Sequence, residues 1–430
     1  MSISIRTLAL TLVLAAAAAA SEAQDAPQQI PSPAPDSQKP DRPGLIRLGP
    51  IYLTPKLRIG PIGLDTNTLW IPEKQPVDFR VGGGPGLEIV VPMGPAKIVV
   101  EGGATYTYYV KHKDQRRLAG DGTARFQIDR GRVHANVEEV YTRYFWRPNF
   151  EVDRRIVEDQ WQTRGTLDLD AGARLSLITG LSTQRFDVPQ HQTFLGTDLT
   201  QTMSYSETIA LAGFKYRLTE KTSLLVAGDY QIDRFKFLTS RDADSDRIYG
   251  GLEIVSPTRL DGRAVGGVRL FRLKGQGGQT GAHRTDPYAD VQLRYRFGPR
   301  TYLEARYLTD IAYSPFEVAG ATPTNHTDTV SARLNKALGA GFDINAFGTY
   351  MKLGTHGAIT IVRDNGQRVT AVRTDAVEEG GADFGRWFRR LRIGVAAVYT
   401  NRVSTFSDFG IHGLLFGGTI TYGPGLSWSR

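Results

Sequence analysis

Residues 289–297 read Ala-Asp-Val-Gln-Leu-Arg-Tyr-Arg-Phe, an unbroken alternation of apolar and polar side chains. Successive side chains of a β-strand point to opposite faces, so this stretch predicts a strand with one apolar and one charged face. The same alternation recurs along the chain, around Leu57 and Ile59 and in residues 98–108, 167–175, 224–232, 342–350 and 393–399. We therefore predict an all-β protein.

The links between these strands alternate between short and long. Short links lie at Asp129–Arg132, Leu218–Ser223, Gly298–Arg300 and Ala337–Gly341, and longer polar links at Arg147–Glu158, Lys274–Thr285 and Ser314–Thr327. The polar strand faces are rich in Gly, Ser, Thr, Asp and Arg, as a wet lumen requires. Both features are typical of a transmembrane antiparallel β-barrel, which here would have about 18 strands (16–18).

The chain ends add an export signal and a closing strand to this architecture. Residues 1–23 read as a cleaved signal peptide, with Arg6 before an apolar run that is too short to span a bilayer as a helix. Residues 24–44 are rich in Pro, Gln and Ser and predict a disordered periplasmic linker. The barrel is then expected over residues 45–430, with Leu414–Tyr422 as its last strand and Trp428 close to the end.

Composition excludes several classes of function. The chain has no cysteine, which excludes a disulfide framework, a cysteine zinc site and a thiol nucleophile. Its formal charge of +8 is spread along the sequence rather than clustered, so we expect no nucleic-acid partner. A basic lumen or a basic surface explains the charge better.

Two local patterns concern the rims of the barrel. Aromatic residues bunch near predicted strand ends, at 106–109, 141–146 and 387–388, where girdles at the membrane interfaces would place them. The alternative for these residues is packing within a core. Apolar residues alternate with polar ones in residues 359–372, on both sides of the turn signal Asp364-Asn365-Gly366. This pattern predicts a hairpin that either protrudes or folds inward as a constriction.

We expect neither a catalytic residue, nor a metal site, nor a cofactor. No two of the seven histidines have a helical metal-ligand spacing, and no ordered Ser-His pair can be placed. Gly82–Gly86 is not followed by a predicted helix, so it reads as a bend or a close approach within a strand rather than a phosphate loop. An outer-membrane hydrolase is the weakest of the functions considered.

Strand parity predicts the residues that line the pore. These candidates are Lys56, Arg58, Arg125, Asp168, Asp170, Arg174, Arg263, Arg269, Arg294, Arg296, Glu304, Arg306 and Arg333. Ladders of arginine would favour anions, because the guanidinium stays charged in water. Acidic candidates such as Glu101, Asp290 and Asp343 could instead pair with the cations and merely keep the lumen wet. The sequence leaves both alternatives open.

The segment Ile51–Trp70 reads IYLTPKLRIGPIGLDTNTLW. It resembles the opening strand of the outer-membrane β-barrel porin family, which includes barrels encoded with exopolysaccharide export systems. In that family an apolar strand with a proline leads to an Asp-x-Asn-apolar turn, and Asp65 and Asn67 stand at the matching positions. The resemblance implies a porin-like barrel in the outer membrane.

The function expected from the sequence is a porin-like channel for passive diffusion of small polar solutes, with anionic solutes as a narrower option. The alternative is an outer-membrane component of surface polysaccharide export, or a structural barrel. Expected partners are outer-membrane lipid, the barrel-insertion machinery, and small polar solutes or polysaccharide. A homo-oligomer is left open.

Overall fold

The computed structural model describes residues 46–71, 75–147, 151–189, 191–256, 259–274, 283–298, 300–316, 324–363 and 365–423. Its long strands are β1 (Ile51–Asp65), β2 (Asp78–Met93), β3 (Ala96–Tyr109), β4 (Arg117–Arg130), β5 (Val133–Trp146), β6 (Ile156–Asp170), β7 (Leu175–Asp187), β8 (Tyr205–Arg217), β9 (Thr222–Phe235), β10 (Ala243–Ile254), β11 (Leu260–Leu273), β12 (His283–Gly298), β13 (Thr301–Tyr313), β14 (Thr324–Gly339), β15 (Phe342–Val362), β16 (Arg368–Phe388), β17 (Leu391–Ser404) and β18 (Ile411–Tyr422).

Every strand pairs antiparallel with the next one along the chain, and the first pairs with the last. Leu57 of β1 lies opposite Tyr422 of β18, which closes the ring. The described residues thus form a closed 18-stranded antiparallel β-barrel, and the predicted fold and strand number are confirmed. Closure leaves no open sheet edge, which is the condition for strands to cross a membrane.

The outer face of the barrel is apolar. In β17, Ile393 and Val395 are exposed whereas Arg392 is buried. In β12, Tyr295 and Phe297 are exposed whereas Asp290 is buried. This is the reverse of a soluble sandwich, and it gives the chain the architecture of an outer-membrane β-barrel. In the described residues, no helix is both long and apolar enough to cross a membrane.

The two ends of the barrel differ. At the turn end, where β1 begins and β18 finishes, short turns such as 94–95 and 131–132 join the strands. At the loop end lie longer connections, including one with a short helix, α1 (Leu199–Met203). A short strand, Ile46–Leu48, pairs with the start of β1 at the turn end. The predicted signal peptide, the predicted linker and Trp428 lie outside the described residues.

One strand prediction was wrong, and it changes the position of Arg174. The alternation over residues 167–175 runs through two strands, because β6 ends at Asp170 and β7 begins at Leu175. The backbone N–H groups of Ala171 and Gly172 both donate to the Leu175 carbonyl and close a turn between them. Arg174 therefore lies exposed in a turn rather than on the inner face of a strand.

The glycines of residues 82–86 lie within β2 and let neighbouring strands approach closely. A Cβ atom on Gly84 would overlap the backbone carbonyl of Ala104 in β3. This matches the expected close approach within a strand and leaves no phosphate loop at this position.

The predicted aromatic girdles hold for some residues and fail for others. Tyr106, Tyr108 and Phe388 are exposed, as an interfacial position requires. Tyr109 is buried and donates its hydroxyl to Asp65, and Trp387 donates its indole N–H to Asp343 at 2.6 Å. These two side chains turn inward because the carboxylates that accept their hydrogen bonds lie inside the barrel.

Candidate functional site: the barrel interior and its crossing segment

One side of the barrel is tightly curled. The ring of Tyr313 in β13 lies 5.9 Å from that of Tyr205 in β8, five strands away. Neighbouring strands are about 4.8 Å apart, so five steps along the wall measure roughly 24 Å. The wall must therefore bend back on itself for these rings to meet.

The inner face of this curled side, which we call the packed lobe (β7–β13), is filled by its own side chains. Its apolar stripe contains Ile178, Leu211, Leu225, Ala227, Tyr249, Val265, Tyr288 and Leu308, all buried. Beside it, Arg247 donates to Asp229 at 2.8 Å and to Asp310 at 3.2 Å, and Arg269 donates to Asp310 at 2.9 Å. Buried charges need such partners, since an unpaired one is costly. These buried residues make the packed lobe a protein core rather than a water-filled wall, except near the turn end, where Arg294 and Glu304 keep 41% and 30% of their side-chain exposure.

The inner face of β1–β6, which we call the open wall, keeps its charges in contact with water. Lys56 retains 32% of its side-chain exposure and contacts Glu88 at 2.8 Å and Glu101 at 2.5 Å. Arg125 donates to Glu138 at 2.6 Å and is 29% exposed. By contrast, the side chain of Arg247 in the packed lobe is 0% exposed. Water therefore reaches the interior along β1–β6.

The remaining pore-lining candidates lie mostly in ion pairs. The pairs join Asp168 to Lys215 at 3.4 Å, Arg263 to Asp290 at 2.8 Å, Arg306 to Asp290 at 3.5 Å, Arg294 to Glu304 at 2.6 Å and Arg296 to Asp261 at 2.9 Å. Asp170 accepts a hydrogen bond from Ser176 at 2.6 Å. Arg58 lies opposite Gly84 and Thr421 across the sheet, and Arg333 opposite Glu304. The cations are thus interleaved with carboxylates. Arg269 is on the inner face but buried within the packed lobe.

A segment of the connection between β5 and β6 crosses the loop end of the barrel. We call residues Glu151–Arg155 the crossing segment. The carboxylate of Glu151 accepts hydrogen bonds from Ser314, just after β13, at 2.9 Å, and from Asn325 of β14 at 2.6 Å. In a ring of eighteen strands, β5 and β14 are nine positions apart, the largest separation available. The segment therefore spans the lumen from one wall to the other.

Ion pairs fix the crossing segment to three further places. Asp153 accepts a hydrogen bond from Arg402 of β17 and lies 3.6 Å from Arg147. Arg155 contacts Asp65 at 3.2 Å and also donates to the Thr68 carbonyl. All of these charged side chains are nearly inaccessible to solvent, so each depends on its partner.

The predicted turn at Asp65 and Asn67 forms and supports this docking. Asp65 accepts the backbone N–H of Asn67 at 3.1 Å, while the Asn67 side chain donates to the carbonyls of Ile71 and His412. The second carboxylate oxygen of Asp65 accepts from Tyr109 and Arg155. The motif thus links the opening turn, the end of β3 and the crossing segment.

Burial sets the protonation of Glu151. It raises the pKa of the Glu151 carboxyl to about 7, although the Arg373 guanidinium and the hydrogen bonds from Ser314 and Asn325 act in the opposite direction. The nearby Asp375 carboxylate adds to the upward shift. A carboxyl of this kind changes charge near neutral pH.

An apolar cluster of loops covers much of the mouth. Its buried members are Phe316, Ile359, Ile361, Phe406 and Phe409, with Phe194, Leu195 and Val369 packed against them. The hairpin formed by the ends of β15 and β16 supplies Ile359 and Ile361. It therefore packs against the other loops over the mouth and does not stand free.

A cavity of about 540 Å³ lies beside the crossing segment. Its lining includes Asp114, Arg117, Asp153, Arg155 and His191, which come from loop-end connections and strand ends of β3–β8. This position places it at the loop end of the open wall. The sequence predicted a long outer connection at residues 147–158 but not its inward course. The only local signal was the concentration of charged residues in Glu-Val-Asp-Arg-Arg, residues 151–155.

Comparisons with known proteins add little to this description. A scan against protein-family models finds no match. A search of curated proteins finds none either.

A search of solved structures finds several that are similar to this chain at a low level. OpdK of Pseudomonas aeruginosa, solved with vanillate, matches with a TM-score of 0.40 at 10% identity over 87% of this chain and 98% of that chain. The FrpB iron transporter of Neisseria meningitidis matches with a TM-score of 0.40 at 12% identity, over 81% of this chain and 62% of that chain. The copper transporter OprC matches with a TM-score of 0.44 at 12% identity, over 90% of this chain and 66% of that chain. The chain thus spans only about 62% of FrpB. Similarity this low carries no conclusion about function, and the fold rests on the strand pairing itself.

Proposed function

We propose that the protein is an outer-membrane channel for passive diffusion of small polar solutes, with its path along the open wall and a constriction at the crossing segment. The observation that carries this proposal is the contrast between the two sides of the interior. Glu101 on the open wall is 46% exposed, whereas Arg247 and Arg269 in the packed lobe are almost fully buried. A solute path needs wet, polar walls, and only β1–β6 combines these with the cavity at the loop end.

Selection in such a channel rests on size and on paired charge, without covalent chemistry or a cofactor. The crossing segment narrows the lumen, and the apolar loop cluster covers the neighbouring part of the mouth. An anion preference is the narrower form of the proposal. It depends on whether Arg58, Arg125 and Arg164 outweigh the carboxylates that lie among them.

The absence of cysteine permits a direct test, because one introduced cysteine becomes the only thiol in the chain. The folded mature protein is placed in a planar bilayer, and its conductance is recorded before and after a charged thiosulfonate reagent. We expect a stable wild-type conductance, and a stepwise change on modification of Glu101→Cys in the open wall.

The matched control is Ala227→Cys in the packed lobe, where the side chain is buried. It should conduct like the wild type and ignore the reagent. Folding of each variant is checked by heat-modifiable migration on a gel. Lack of conductance from folded protein, or equal modification at both sites, would contradict the proposed path.

A second candidate is a component of surface polysaccharide export, or a structural barrel. The covered mouth favours it, because a plugged barrel would need another envelope protein to open. Failure of the folded protein to conduct on its own would support this second candidate. It also predicts that the protein co-purifies with an envelope assembly.

A further inference from the structure

Three side chains with metal-binding chemistry meet at the loop end, where β12 separates from β13. Pairing between these strands extends only as far as Ala289 opposite Thr309. Beyond that pair β13 continues with β14, while β12 runs on towards His283. In this region, ligand atoms of Asp286 in β12, His326 in β14 and His356 in β15 all lie within 4.8 Å of one another.

We propose that Asp286, His326 and His356 bind one first-row transition-metal dication, with Zn²⁺ as the reference ion. Zinc holds imidazole nitrogen and carboxylate oxygen at about 2.0–2.2 Å, which puts tetrahedral ligands roughly 3.4 Å from one another. Starting from 4.8 Å, each ligand atom needs to move by less than about 1 Å to reach such an ion. Small rotations of three side chains achieve this without moving a strand.

Hydrogen bonds already orient the two imidazoles. Thr309 Oγ1 lies 3.1 Å from His326 Nε2, and Thr324 Oγ1 lies 3.0 Å from His356 Nδ1. Asp328 adds a carboxylate oxygen 3.5 Å from His326 Nε2. Metal-bound histidines usually have their second ring nitrogen held by an oxygen in this way, which fixes the tautomer and the ring angle. The ion would then take Nδ1 of His326 and Nε2 of His356.

The carboxylate is held in the same manner. Arg284 donates from Nε to one oxygen of Asp286, and the other oxygen can face the ion. Two imidazoles and one carboxylate suit Zn²⁺, Cu²⁺ or Ni²⁺ better than Ca²⁺ or Mg²⁺, which prefer oxygen ligands alone. Three protein ligands leave a fourth position for water or for a donor group of a solute.

The site has a mechanical consequence for the barrel. Its three ligands come from strands that no longer form one continuous ladder at this height. A bound ion would join β12 to β14 and β15 where the β12–β13 hydrogen bonds have ended. The side chain of His326 keeps 28% of its exposure, so an ion can enter from the solvent.

The test uses the full folded chain without a histidine tag, after treatment with a chelator. Zn²⁺ uptake is measured by equilibrium dialysis, and coordination by the visible spectrum of the Co²⁺ form. We expect one ion per chain, a tetrahedral Co²⁺ spectrum and a higher unfolding temperature with Zn²⁺. His326→Ala and His356→Ala should each lose at least tenfold in affinity, because loss of even an outer-shell partner of a ligand typically costs about 10–100-fold.

The matched control is His134→Ala, which removes another histidine that contacts two carboxylates, those of Asp129 and Asp170, at the turn end. It should bind like the wild type. His326→Gln serves as a second variant if alanine prevents folding, which heat-modifiable migration reveals. No uptake by folded wild-type protein, or uptake unchanged in the His326→Ala/His356→Ala double variant, overturns the proposal.

Discussion

Glu151 and Asn325 are joined by a 2.6 Å hydrogen bond, although the strands β5 and β14 that lead to them are nine positions apart in the ring. A wall-to-wall contact of this kind divides the loop end of the lumen. On the proposed path along the open wall, we expect solutes to pass beside Glu151 and Asp153. The strength of this docking therefore sets the width of the path.

Substitution of Asp153 should widen the channel. In Asp153→Ala, Arg402 and Arg147 lose a buried carboxylate partner, and loss of one partner in a buried pair costs about 3–5 kcal/mol. Release of the crossing segment relieves this cost more readily than unfolding of the barrel does. Single-channel recording should give a higher conductance than wild type.

Arg154→Ala is the control for that measurement. Arg154 is next to Asp153 in the crossing segment but is exposed, and it donates to the Thr193 carbonyl at 2.9 Å. Its conductance should stay close to the wild-type value. A folded Asp153→Ala channel that conducts no better than Arg154→Ala would remove the crossing segment as the constriction.

Docking of the crossing segment should weaken as pH rises through neutrality. Burial raises the pKa of Glu151 from its ordinary value of 4.5 to about 7, so the docked state holds a proton that the undocked state releases. The contribution of this proton to the stability of the docked state is complete below about pH 4.5 and disappears as pH rises through about 7. The charged groups around Glu151 are Arg373 and Asp375 of β16 and Arg402 of β17, with Ser314 and Asn325 as uncharged partners.

Conductance measured from pH 5 to pH 8.5 should accordingly increase with pH in the wild type. Glu151→Gln keeps a neutral group of the same shape and should hold the low-pH conductance throughout. Asp129→Asn, at the exposed turn-end tip of β4, should keep the wild-type profile. A Glu151→Gln profile that still follows the wild type would assign the pH response to another group.

Two open-wall substitutions should move ion selectivity in opposite directions. Lys56→Ala leaves Glu88 and Glu101 without their shared cation and should favour cations. Glu138→Gln removes the carboxylate between Arg125 and Arg164, which lie 2.5 Å and 3.9 Å from it, and should favour anions. The reversal potential under a salt gradient measures both. Shifts of equal sign, or none, would show that ions do not pass along this wall.

The sequence predicted the fold well because a membrane barrel separates two environments along every strand. Lipid on one side and a polar interior on the other impose a period of two, which is visible in residues 289–297 without any tertiary information. The turn at Asp65 and Asn67 was equally local. Turn chemistry is also why Arg174 was misplaced, since alternation alone does not reveal that residues 171–174 reverse the chain.

The interior could not be predicted in this way. Glu151 meets Ser314 and Asn325 only because the ring closes and the β5–β6 connection bends inward. The Asp286, His326 and His356 group has sequence separations of 40 and 30 residues, far from any local metal-ligand spacing. Tyr109 and Trp387 are aromatic residues of the kind found in an interfacial girdle, but the carboxylates that accept their hydrogen bonds lie inside the barrel. Such contacts depend on which strands meet, and periodicity does not contain that information.

The packed lobe should contribute far more to stability than the charge pairs that face water. Asp310 accepts hydrogen bonds from both Arg247 and Arg269, and all three side chains are almost inaccessible. Asp310→Asn leaves two buried guanidinium groups short of a carboxylate and should lower the free energy of unfolding by about 3–5 kcal/mol. Glu88→Gln on the open wall breaks a pair with Lys56 in which the side chains are 29% and 32% exposed, so it should cost at most about 1 kcal/mol. Urea unfolding in detergent micelles, followed by tryptophan fluorescence, compares the two variants directly. Equal decreases in the free energy of unfolding would mean that water enters the packed lobe. The solute path could then run through the packed lobe as well.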